Sequence, residues 1–60
     1  MPAIDTFMGN LEQCKELLHT IEDHVEDHLG VDPRDVQWGN AGDAAHLASE
    51  LQKIVTWLIG

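Results

Sequence analysis

The chain has one cysteine, three basic residues and no run of apolar residues long enough to cross a membrane. Each shortage removes a class of protein. The lone Cys14 excludes a disulfide within the chain, so covalent stapling cannot hold this fold. Three Lys and Arg against eleven Asp and Glu give a formal charge of −8. That balance excludes direct binding to nucleic-acid phosphates and to anionic membrane surfaces, both of which need clustered cations. The partners that fit are basic protein surfaces or cations. A membrane-spanning helix needs about 20 consecutive apolar residues, and no stretch approaches that. The N-terminus also has no basic segment followed by an apolar run, so no secretory signal is expected and the cytoplasm is the expected compartment. Glycine-rich phosphate loops, internal repeats and low-complexity tracts are absent as well.

What remains is a short amphipathic chain. Sixty residues make one small domain, and a chain of this size buries only about 60% of its unfolded surface. Small natural domains make up the shortfall with disulfides, metal or oligomerisation. With 43% hydrophobic residues in a clear period, the sequence reads as folded despite its charge.

The period is helical. Ile4, Phe7, Leu11, Cys14, Leu18, Ile21 and Val25 are spaced alternately by three and four. That spacing is a heptad-like seam, which a helix can bury against another helix and a strand cannot use. It predicts a first helix over residues 3–29, continuous through Gly9 at about 1 kcal/mol relative to alanine. The competing start, with Asn10 as N-cap and Gln13 completing a capping box, would leave Ile4 and Phe7 outside the seam. Glu12, Glu16, Asp23 and Asp27 fall opposite the seam, while Leu17, His24 and His28 widen its margin on the Ile21 side. Cys14 lies on the seam, where a single cysteine is most simply a small buried hydrophobe.

Gly30 is placed to close the helix in the left-handed conformation of a Schellman motif. Asp32-Pro33 reads as a cap followed by proline at a first helical position, which predicts one short turn over residues 33–37. Trp38-Gly39 is expected to end that turn, with Trp38 as a plug for the end of the hairpin. Asn40 is expected to cap a second helix over residues 41–59, with Asp43 near the positive end of its dipole. Its apolar face comprises Ala44, Leu47, Ala48, Leu51, Ile54, Val55 and Leu58, alanine-rich at the start and bulky at the end. The expected fold is therefore all-α: residues 1–60 as one antiparallel helical hairpin.

Two helices alone supply one layer of contact. Trp57 projects roughly 120° from the centre of the second apolar face, beside Glu50 and Lys53, where an intramolecular partner need not cover it. In an antiparallel hairpin it lies level with Leu17. The expected interface is Leu17, Ile21, His24, His28, Ile54 and Trp57, buried when two hairpins pair as a homodimer in a four-helix bundle.

Candidate chemistry is thin. His24 and His28 are four apart and share a face, but zinc needs three or four converging ligands and only two stand at reliable spacing. The run His24-Val25-Glu26-Asp27-His28 lacks the glutamate that follows the first histidine in zinc proteases. Histidines near a helix C-terminus also favour the dipole, which accounts for them without metal. Protonating all four histidines would take the charge from −8 toward about −4 near pH 6, so a pH-responsive or metal-binding module is one alternative reading. A second is an acidic mimic of nucleic acid, since six acids accompany only Lys15 between Asn10 and Leu29. A solvated, solubilising face explains the same acids. No catalytic residue, cofactor site or metal site is assigned. The expected function is a small non-enzymatic protein acting through protein–protein contact, self-associating and regulatory or inhibitory. The sequence identifies no partner.

Overall fold

The computed structural model describes residues 2–60, and every regular element among them is helical. Helix α1 spans Ala3–Glu26 and helix α2 spans Trp38–Ile59. Between them lie two single 3-10 turns, His28–Gly30 and Pro33–Asp35. The chain divides into two units at the Gly30–Val31 junction.

In the first unit, Pro2 precedes α1 in an extended conformation, and Asp5 sits in the first turn, where the dipole favours an acid. The helix runs through Gly9 without a break. A Cβ built on Gly9 meets nothing within 4 Å, and the position points away from the seam at about 100° per residue. Gly9→Ala therefore removes a backbone-entropy cost and adds no clash. It is expected to raise stability by about 1 kcal/mol, read as a higher thermal midpoint by circular dichroism; an unchanged or lower midpoint would contradict it.

The C-terminal end differs from the sequence expectation. The α-helix stops at Glu26 rather than near residue 29, with Asp27 as its cap and the Asp27 amide donating to the Asp23 carbonyl at 3.1 Å. The physical reason is the composition of the last turns. Glu22, Asp23, Glu26 and Asp27 crowd the negative end of the helix dipole, where acids are unfavourable. Beyond them, left-handed backbone starts at His28 (φ 57°), continues through Leu29 (φ 56°) and ends at Gly30 (φ 78°). Gly30 does adopt the expected conformation, but as the last of three such residues, and its amide donates to the Asp27 carbonyl at 3.0 Å.

The second unit opens with the Asp32-Pro33 turn where the sequence placed it, though shorter. Asp32 Oδ1 accepts the Arg34 amide at 2.9 Å, and the Arg34 guanidinium returns to the same carboxylate at 3.0 Å through Nη2. These bonds hold the Asp32 carboxyl below its usual range and raise Arg34 in turn. The depressed carboxyl means that this pairing is complete at neutral pH and is lost only as acid protonates Asp32. Val36 and Gln37 are extended instead of finishing the turn.

Helix α2 then starts at Trp38, three residues before the expected residue 41. Gln37 is its N-cap, and Asn40 stands at the third helical position with Oδ1 accepting the Gln37 amide at 2.9 Å. Asn40 thus supplies the reach-back half of a capping box rather than the cap itself. Trp38 and Gly39, read from sequence as the end of a turn, are the first two residues of the helix.

Candidate functional site: the exposed apolar sides of the helices

Each helix carries an apolar side that a single helix cannot bury against itself. Along α1, Ile4, Phe7, Leu11, Leu18 and Val25 are all exposed, from 43% at Leu11 to 59% at Ile4, and Ile21 is half-buried. Cys14, expected as a buried hydrophobe, is a free and exposed thiol. No described residue of the chain is buried. Exposed single hydrophobes are ordinary on protein surfaces; a continuous line of them along six turns of helix is not.

The residues assigned from sequence to an interface fall as follows. Leu17 is exposed at 56% beside the seam, and Ile21 lies at the junction of seam and margin. His24 occupies the last turn of α1, and His28 lies beyond the helix in left-handed backbone. The end of α1 therefore separates the two histidines. They are not two residues of one regular helix at a four-residue interval. Among the described residues, no three His, Cys, Asp or Glu side chains gather where a metal ion could be held.

On α2, Asn40, Leu47 and Leu51 are the half-buried residues and lie along the middle of the apolar side. Ile54 is exposed at the same azimuth, whereas Trp57 stands well to one side at 79% exposure. The Glu50–Lys53 ion pair, at 3.0 Å, occupies the same side of the helix as Trp57. An exposed pair of this kind contributes little to stability, but it neutralises both charges next to the indole. Trp38, the expected plug, is 92% exposed at the start of α2. With Val36, Gln37 and Ala41 it lines a shallow depression that contains no titratable side chain.

The positions that sequence reasoning missed are His28 and Leu29 as a strained pair. Histidine is among the residue types enriched in left-handed backbone, so His28 carried a weak signal, whereas leucine at position 29 carried none. No family model matches the chain, and neither a curated protein nor a solved structure does. Among the described residues, no helix is long and apolar enough to cross a membrane.

Proposed function

We propose that this protein is a non-enzymatic contact module whose apolar helix sides are covered by pairing of two copies, as a homodimer of helical hairpins. The observation that carries the reading is the exposed line from Ile4 to Val25 together with Leu17 at its margin. Burial of apolar surface stabilises by about 25 cal/mol per Å², and one helical neighbour covers a seam but not its margin as well. In the four-helix arrangement, α2 covers the seam of α1. The second copy covers Leu17, Ile21, Ile54 and Trp57, with His24 and His28 nearby. Closed two-fold symmetry completes the core without exposing a further surface.

Regulation or inhibition of a larger protein is the use that such a module serves. The acidic side of α1, bearing Glu12, Glu16 and Asp23, stays outside the bundle and suits a basic protein surface by complementary potential. Sedimentation equilibrium at micromolar concentration tests the assembly, with tryptophan emission recorded alongside. Twice the chain mass, with emission shifting to the blue as the dimer forms, is the expected outcome. A monomer that keeps full helicity throughout sinks the proposal.

A further inference from the structure

The charges of α1 are not spread around the seam; they lie on one side of it. At about 100° per residue, Glu22, Lys15 and Glu26 follow one edge of the seam, and Glu12, Asp5, Asp23 and Glu16 continue round the back. The other edge is a strip formed by Thr6, Asn10, Gln13, Leu17, Thr20 and His24, spaced alternately by four and three. It contains no Asp, Glu, Lys or Arg, and all six residues are exposed.

From this asymmetry we infer that the acid-free strip centred on Leu17 is the side of α1 on which the second copy docks. The inference rests on the self-association proposed above and names its surface. Charge is the deciding argument. Each copy carries −8, so two copies repel, and like charges brought together at an interface cost several kcal/mol. The strip is the one flank of α1 along which a second copy approaches without meeting a carboxylate. It also contains Leu17, more than half exposed outside the seam, which a purely solvated face leaves unexplained. Its polar residues tolerate cover. The Thr20 hydroxyl already donates to the Glu16 carbonyl of its own helix at 3.1 Å, so a neighbour covering it strands no donor. Asn10 and Gln13 carry amides able to pair across the contact, and the sole titratable group of the strip is His24.

Two substitutions that add the same charge on opposite flanks test the assignment in the full chain. Gln13→Glu places a carboxylate in the strip; His19→Glu places one on the acidic side; glutamate is a good helix former, and circular dichroism verifies that both helices persist. Dimer dissociation constants are measured by sedimentation equilibrium at pH 8. Gln13→Glu is expected to weaken the dimer by at least about tenfold, and His19→Glu by less than about threefold. Leu17→Gln, which removes apolar contact without adding charge, should weaken it as well. Equal responses to the two glutamates, or a larger one to His19→Glu, overturn the assignment of the strip while leaving the dimer standing. A monomeric wild type overturns both.

Discussion

Leu18→Gln is expected to unfold the protein at concentrations where the wild type is folded, although Leu18 is 58% exposed in the single chain. Leucine and glutamine have nearly equal helix propensity, so the substitution leaves the intrinsic tendency of α1 unchanged. In the proposed dimer, what it removes is apolar burial at the centre of the seam. Full burial of a leucine side chain stabilises by about 1.5–3 kcal/mol. An amide enclosed there without a partner costs about 1–3 kcal/mol more. In a two-fold assembly both copies carry the change, so its effect is counted twice. A loss of about 3 kcal/mol or more per copy follows, a large fraction of the stability of any small domain. On a helix whose seam stays in water, the same change belongs with surface substitutions and stays within about 0.5 kcal/mol. Thermal melts by circular dichroism at several concentrations separate the two cases. A midpoint that falls steeply and rises with concentration identifies the seam as buried in the assembly. A midpoint that moves by no more than a surface substitution would refute it.

The two helices were legible in the sequence for different reasons. The three-and-four spacing from Ile4 to Val25 outweighed Gly9, because seven apolar positions in phase set a stronger pattern than one residue of poor propensity opposes. The capping signal at Asn40 was read correctly as a helix start and wrongly as to position. An asparagine that accepts an amide at a helix N-terminus can do so as the cap or from the third helical position, and both place it within one turn of the start. The ending of α1 was less legible. Gly30 announced left-handed backbone, yet the helix had already yielded to the acids of its last turns; His28 offered only a weak preference for that conformation, and Leu29 entered it without any signal of its own. Periodicity also states which side of a helix is apolar, not what covers it. Cover belongs to a pair of surfaces, and the acid-free flank of α1 emerges only when charges are placed around the helix axis beside the apolar residues.

Gly30→Ala should destabilise the protein by about 1–2 kcal/mol, the opposite of the gain expected from the identical substitution at Gly9. Neither position is crowded: a Cβ at either glycine meets nothing within 4 Å. Packing therefore cannot account for a difference, and backbone conformation alone decides the sign. Gly9 has ordinary helical backbone within α1, where alanine is the best residue and glycine the costly one. Gly30 has φ 78°, where a Cβ approaches the following carbonyl and only glycine is at ease. The neighbours sharpen the effect. His28 and Leu29 already hold left-handed backbone with φ 57° and 56°, so alanine would make a third consecutive residue with a side chain in that region. Left-handed runs of such residues are not sustained, because the cost is incurred at every position. The chain instead gives up the Gly30 amide bond to the Asp27 carbonyl, which is 3.0 Å long, and the turn after α1 loosens. Each kcal/mol moves the thermal midpoint of a small domain by about 4–8 °C, so the two alanine variants should melt on opposite sides of the wild type. If both melt above it, the three left-handed residues are not held in the folded protein.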